Sequence, residues 1–363
     1  MPRLPPTPAI SLRTVQMAGL LVDVYGLAEL STTASRVSCL WLHHPRTRSK
    51  ADMADVAARF VAAWNSQAAS DAPCPAQKGG EGGKEKEKEK RRGLVALVYD
   101  QRNHGSRLVD DGANGSWREG NPMHAVDMFA VVQGMVADQR VLLDLMEAYL
   151  FHDDAGSKRK VDQHVALGVS LGGHSVWQLM FADPRVTAGV VVIGCPDYMN
   201  LMTDRARLSK LTTYSAQDGG ASFLGSRDFP PSLLEACEKF DPKAIFFGTS
   251  AVPEARTTAT ADEGTKQIFR DRLRGKRFLL CSGGDDKLVP YSRCSEPFLQ
   301  WFTQAAATWA EEGVSVDDRV YPGVGHSFSA DMVADAVQFV LDVVGSADPG
   351  LFSTGCEERA SKI

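Results

Sequence analysis

Val165-Ala166-Leu167-Gly168-Val169-Ser170-Leu171-Gly172-Gly173 is an apolar run that closes in Gly-x-Ser-x-Gly and opens into an amphipathic segment. The pattern reads as a buried strand, a sharp turn and a helix. A serine held on such a turn projects its hydroxyl beyond the sheet edge. A Cβ at Gly168 or Gly172 would collide with neighbouring backbone in so tight a bend. The helix that follows aims its unpaired N–H groups at the same point. Ser170 is therefore the candidate nucleophile.

Two later segments complete a constellation. Arg277-Phe278-Leu279-Leu280-Cys281 reads as a buried strand and runs into Ser282-Gly283-Gly284-Asp285-Asp286-Lys287-Leu288-Val289-Pro290, which places Asp286 in a Gly-x-x-Asp-x-x-Val-Pro loop. Arg319-Val320-Tyr321 is a short strand, and Pro322-Gly323-Val324-Gly325-His326 is the loop after it. The order Ser170, Asp286, His326 is that of the α/β-hydrolase fold. From about Leu20 to Gly345 the chain resembles that superfamily, in the manner of a serine esterase. The resemblance implies a mostly parallel central sheet flanked by helices, with a small helical cap inserted.

It also implies roles. Ser170 Oγ attacks an acyl carbonyl, His326 moves its proton, and Asp286 holds the imidazole in the useful tautomer. Asp285 is the alternative acid, and His43, His44 and His104 are alternative bases. The oxyanion hole calls for the backbone N–H of Leu171 and a second amide from the turn after the third strand. There His43-His44-Pro45-Arg46 departs from the usual His-Gly, and because proline has no N–H, Arg46 is the expected donor. The loop Asp100-Gln101-Arg102-Asn103-His104-Gly105-Ser106 resembles the superfamily's Asp-x-Arg-Gly-x-Gly-x-Ser. Asp100 and Arg102 are expected to tie it down by charge-assisted hydrogen bonds.

Composition sets wide bounds. The chain has 363 residues, 44% apolar and 23% charged, with a formal net charge of −5 and no basic half, which disfavours nucleic-acid binding. The length fits a single large α/β domain, residues 1–363. Seven cysteines without paired or metal-like spacing point to a reducing compartment and to no metal site. No run is long enough to span a membrane. The expected location is the cytoplasm. The final Ser361-Lys362-Ile363 differs in one residue from the Ser-Lys-Leu peroxisomal address and makes import there the alternative.

Along the chain, Leu20–Tyr25 alternates like a half-buried strand near the edge, Val37–Leu42 reads as the third strand and Leu94–Tyr99 as the fourth. Residues 51–64 show helical spacing. Residues 66–92, with Pro, Gly and a Lys-Glu alternation, cannot bury apolar area and read as a disordered insertion. Met123 to Phe151 suggests one kinked helix or two, with Gly134 a possible break. Residues 197–276 exceed a plain crossover and read as the helical cap, with a capping box at Ser232–Glu235 opening one helix. Tyr198, Met199, Leu201 and Met202 leave the strand end and are expected either to line an acyl pocket or to form the cap's own core. Residues 346–363 read as a mobile tail.

The expected function is hydrolysis of a carboxylic ester or thioester on a small-molecule acyl substrate, through an acyl-enzyme and without a cofactor. The alternatives are an acyltransferase, a prolyl-oligopeptidase-type peptidase, or a non-catalytic small-molecule-binding protein on the same fold. Arg46, Arg48, Arg102, Arg205 and Arg207 are candidates for positive charge near the mouth, which would favour an anionic substrate.

Overall fold

The computed structural model describes residues 4–70, 92–152, 159–253 and 263–347. The Lys-Glu stretch and the C-terminal tripeptide therefore lie outside the described residues. Eight strands form one sheet: β1 (Leu12–Met17), β2 (Leu20–Tyr25), β3 (Arg36–His43), β4 (Gly93–Val98), β5 (Lys160–Val169), β6 (Val186–Val192), β7 (Arg277–Gly283) and β8 (Ser315–Tyr321). Their order is β1-β2-β4-β3-β5-β6-β7-β8. Among the described residues only the β1–β2 and β2–β4 pairings are antiparallel.

The central strands are apolar on both faces because helices cover both. Side chains alternate across the pleat. On β3, Cys39 and Trp41 enter one core while Leu40 and Leu42 enter the other. The first core packs beneath α2 (His124–Phe151), α3 (Leu171–Ala182) and α9 (Glu296–Thr308); the second packs beneath α1 (Ala54–Ser70) and α10 (Ala330–Ser346). The other α-helices among the described residues are α4 (Tyr198–Leu208), α5 (Pro231–Phe240), α6 (Pro242–Phe247), α7 (Glu263–Ile268) and the short α8 (Tyr291–Cys294).

Several local outcomes differ from the pattern read in the sequence. Strand β2 lies next to the edge, as read, and the edge itself is β1, joined to β2 through Ala18 and Gly19, both at positive φ. Alanine is an uncommon occupant of that conformation, so the hairpin gave no turn signal. Helix α1 continues through Ser70 and Arg92 is buried, so the two ends of 66–92 belong to the ordered body, and residues 71–91 lie outside the described residues. Likewise α10 reaches Ser346. Helix α2 is a single helix. A Cβ at Gly134 would lie 2.3 Å from Arg102 Cδ, so the glycine there gives the arginine a passage and does not break the helix. Helix α5 begins at Pro231 with no side-chain cap, so the expected capping box does not form.

The segment expected as a cap divides in two. Helix α4, Phe223, Phe229 and Leu233 pack with the N-terminal half of α2 in a third apolar cluster above the sheet's C-terminal edge. Phe246, Phe247, Phe269 and Leu273 instead join the first core, where Phe246 and Phe247 each contact Trp301 with ring centroids 4.7 Å apart.

Candidate active site

Ser170 stands between β5 and α3 at φ 56°, ψ −113°, a strained conformation for a residue with a side chain. The bend is as tight as the glycine spacing implies. A Cβ on Gly168 would sit 2.0 Å from the Gly172 carbonyl oxygen, and one on Gly172 would sit 2.1 Å from that of His43. Two bonds hold the elbow: Ser170 N–H donates to Val192 C=O at 2.8 Å, and His174 N–H donates to Ser170 C=O at 3.1 Å.

The three distant candidates meet here. Ser170 Oγ lies 2.7 Å from His326 Nε2, and His326 Nδ1 lies 2.7 Å from Asp286 Oδ2. The Val-Pro loop explains the choice of acid. Asp286 is buried, and its other oxygen, Oδ1, accepts the N–H groups of Leu288 at 2.8 Å and Val289 at 3.0 Å. One carboxylate oxygen thus orders the loop while the other faces the imidazole. Asp285 is exposed and makes no such bridge.

The rival histidines are occupied in the scaffold. His43 is buried between Ser175 Oγ, 2.7 Å from Nδ1, and Gln139 Oε1, 3.3 Å from Nε2, and burial pushes its pKa down to about 3. His44 Nε2 accepts Gln101 N–H at 3.0 Å, pinning the loop after β3 to the loop after β4, and burial lowers its pKa to about 4. His104 packs against His44 and is also lowered by burial.

Leu171, the first residue of α3, and Arg46, in the turn that Arg48 N–H closes on Pro45 C=O at 3.3 Å, line one cavity with Ser170 and His326. Among the described residues neither amide donates to another backbone carbonyl. The neighbouring loop is held as its sequence suggested, through different partners. Asp100 accepts Lys50 N–H at 2.8 Å and Ser106 N–H at 2.9 Å, while Arg102 pairs with Asp138 of α2 at 2.9 Å.

The cavity measures about 910 Å³. Its apolar wall comes from Met53, Val56, Trp117, Met128, Leu288 and Phe328. Tyr198, Met199 and Met202 do not reach it. They are buried in the cluster beneath the cap, and Tyr198 Oη donates to Ala125 C=O at 2.6 Å. Of the arginines expected at the mouth, Arg46, Arg48 and Arg205 line the cavity. Arg102 is turned to Asp138, and Arg207 pairs with Asp204 at 2.7 Å. Arg118 and Lys287 line it unforeseen, although Lys287 follows the candidate acid directly in sequence. Among the described residues no cluster of His, Cys, Asp and Glu is grouped to hold a metal ion, and no helix is long and apolar enough to cross a membrane.

Residues 87–340 match the model of the Alpha/beta hydrolase family. The chain belongs to that family. No curated protein matches the sequence. Among solved structures, TT1662 from Thermus thermophilus is similar at 15% identity and TM-score 0.53, over 93% of this chain and 98% of that one. A Pyrobaculum calidifontis esterase is similar at 13% identity and TM-score 0.41, over 94% of this chain and 86% of that one. The Pyrococcus horikoshii acylaminoacyl peptidase is similar at 10% identity and TM-score 0.43, and the match spans 94% of this chain but 42% of the peptidase.

Proposed function

We propose that this protein is a serine hydrolase that cleaves a carboxylic ester or thioester through an acyl-enzyme. The observation that carries the reading is the unbroken hydrogen-bonded run from Ser170 Oγ through His326 to Asp286. His326 Nε2 takes the hydroxyl proton as Ser170 Oγ bonds to the acyl carbon. The developing oxyanion faces the N–H groups of Leu171 and Arg46. The tetrahedral intermediate collapses, the carbon–oxygen or carbon–sulfur bond breaks, and His326 returns its proton to the departing alcohol or thiol. Water then attacks the acyl-enzyme with His326 again as base, releasing the acid and restoring the Ser170 hydroxyl. Asp286 keeps the Nδ1 proton facing itself, so that Nε2 presents a lone pair to serine. The cavity volume suits a small-molecule acyl substrate.

The test is labelling by a fluorophosphonate probe, together with a chromogenic ester and thioester panel of increasing chain length, on the wild type and Ser170→Ala. The reading expects labelling and turnover in the wild type only. Equal labelling of both proteins would remove Ser170 as the nucleophile.

A further inference from the structure

We propose that the substrate is an anion whose negative group lies on the acyl side and is held by the guanidinium groups of Arg205 and Arg46. This rests on the serine-hydrolase reading above and specifies its substrate.

Arg205 reaches the cavity wall from α4, where the side chains it bonds are neutral. Its Nη1 lies 3.3 Å from His124 Nε2 and 3.1 Å from Met128 Sδ. His124 Nδ1 donates to Gly115 C=O at 3.0 Å, so Nε2 is the bare nitrogen. Burial first, and then the charges of Arg205 and Arg46, drive the His124 pKa down to about 3. The ring is therefore neutral, with two cations converging on it. Among the described residues no carboxylate lies within ion-pair distance of Arg205 or Arg46. The acid beside Arg205 in sequence, Asp204, is bound by Arg207 at 2.7 Å and Arg293 at 3.1 Å. Arg46 Nη1 donates to the neutral Asn114 carbonyl at 2.7 Å.

The nearby acids are engaged elsewhere. Asp52 accepts Ser49 N–H at 2.9 Å, Glu119 accepts Ser116 N–H at 2.7 Å, and Asp127 accepts from Asn121 Nδ2 at 3.0 Å. Arg48, Arg118 and Lys287 add positive charge at the exposed mouth, so five cations face two carboxylates around the cavity. Arginine does not shed its proton in a protein. A half-buried guanidinium without a counter-charge is stabilised when an anion enters, and its fork matches a carboxylate edge to edge.

The side follows from the lining. Arg46, His124, Met128 and Leu171 border a small recess that neither His326 nor Arg205 borders, but Arg205 touches two of its walls, His124 at 3.3 Å and Met128 at 3.1 Å. Because His326 protonates the leaving group, the leaving group occupies its flank, and the acyl chain runs toward Leu171 and the two arginines. The substrate class is accordingly a half-ester or half-thioester of a dicarboxylic acid.

The experiment compares 4-nitrophenyl half-esters of succinic, glutaric and adipic acid with methyl-terminated esters of equal length. A third ester carries a neutral acyl group and a carboxylate on the leaving group. The wild type should favour a carboxyl-terminated acyl group in kcat/KM by about 10- to 100-fold at low salt. Arg205→Met should bring that ratio to about one, Arg205→Lys should retain part of it, and Arg207→Gln, on the same helix but bound to Asp204, should keep it. A wild-type ratio at or below one, a preference confined to the anionic leaving group, or a ratio unchanged in Arg205→Met would overturn the proposal. Ser170-dependent turnover without charge preference overturns the anion site alone; no Ser170-dependent turnover of any ester overturns the serine-hydrolase reading with it. Should Arg205→Met lose both activities together, titration of Ser170→Ala with glutarate decides. Binding that weakens with salt supports the site, and no binding refutes it.

Discussion

Asp286→Asn should disable the site while leaving the fold intact, because the two carboxylate oxygens have different tasks. Oδ1 accepts two loop amides, from Leu288 at 2.8 Å and Val289 at 3.0 Å, and Oδ2 faces His326 Nδ1 at 2.7 Å. An asparagine must keep its carbonyl oxygen on the amides, since its NH₂ group cannot accept from them. The NH₂ then points at Nδ1 and forces that nitrogen to accept. The imidazole proton moves to Nε2, 2.7 Å from Ser170 Oγ, where a lone pair is needed. The general base disappears without a change of shape. The expected loss in kcat is about 10⁴-fold, equivalent to about 5 kcal/mol at the transition state. The folded state keeps its loop bonds and should lose only about 1 kcal/mol in urea unfolding. Asp286→Ala differs in kind: it strands both amides and should cost a further 1–3 kcal/mol or so in stability. Steady-state ester hydrolysis, urea melts and fluorophosphonate labelling rates on both variants, with the exposed Asp285→Asn alongside, make the measurement. An Asp286→Asn enzyme with more than a tenth of wild-type kcat, or an Asp285→Asn enzyme that is equally impaired, would refute the argument.

Three further outcomes can be checked directly. Gly168→Ala places a methyl 2.0 Å from a backbone oxygen that cannot swing away, so the protein should lose at least about 3 kcal/mol or fail to accumulate in soluble form. Tyr198→Phe removes the donor to Ala125 C=O beneath the cap and should cost about 1–2 kcal/mol in urea unfolding. The ester KM should stay within about twofold of wild type, because Tyr198 does not touch the cavity; a large KM change would return it to the pocket. Lys276 is buried with Nζ donating to the carbonyls of Met180 and, at 2.7 Å, Asp183, and burial lowers its pKa to about 8. Between about pH 8 and the ordinary lysine value near 10.4 the unfolded chain holds a proton that the folded chain does not, so this group's contribution to stability rises with pH across that window. The stability of the wild type relative to Lys276→Met should therefore climb from pH 8 to pH 10, and a flat difference would contradict the assignment.

What could be read from the sequence was whatever is enforced locally. The elbow needs glycine at 168 and 172 because backbone meets backbone there, and only those residues leave room. The Val-Pro loop needs a side-chain carbonyl or carboxylate oxygen at 286 because its own amides require an acceptor. Both constraints act over a few residues, so they leave a motif. The cavity wall leaves none. Helix α4 presents Met199, Met202 and Ala206 to the cap's core and Arg205 and Leu208 to the cavity, both sets at helical spacing. Nothing within the helix tells which set faces inward; that is set by how the helix rolls against α2. The same blindness hid the behaviour of α2. Its apolar pattern persists past Gly134 because its N-terminal half serves the cap cluster and its C-terminal half serves the sheet's core, and the helix runs straight through the change of partner.

The divided insertion limits how this scaffold could be re-engineered. With Phe246 and Phe247 wedged against Trp301, and Phe269 5.0 Å from Trp309, the far half of the segment is structurally welded to the enzyme body. A chimera that exchanges only the arc from Tyr198 to Phe229 for a foreign one would swap the roof of the cavity and spare its foundations. Transplanting the whole of residues 197–276 would tear aromatic rings out of the interior, and such a graft would fail before its new specificity could be assayed.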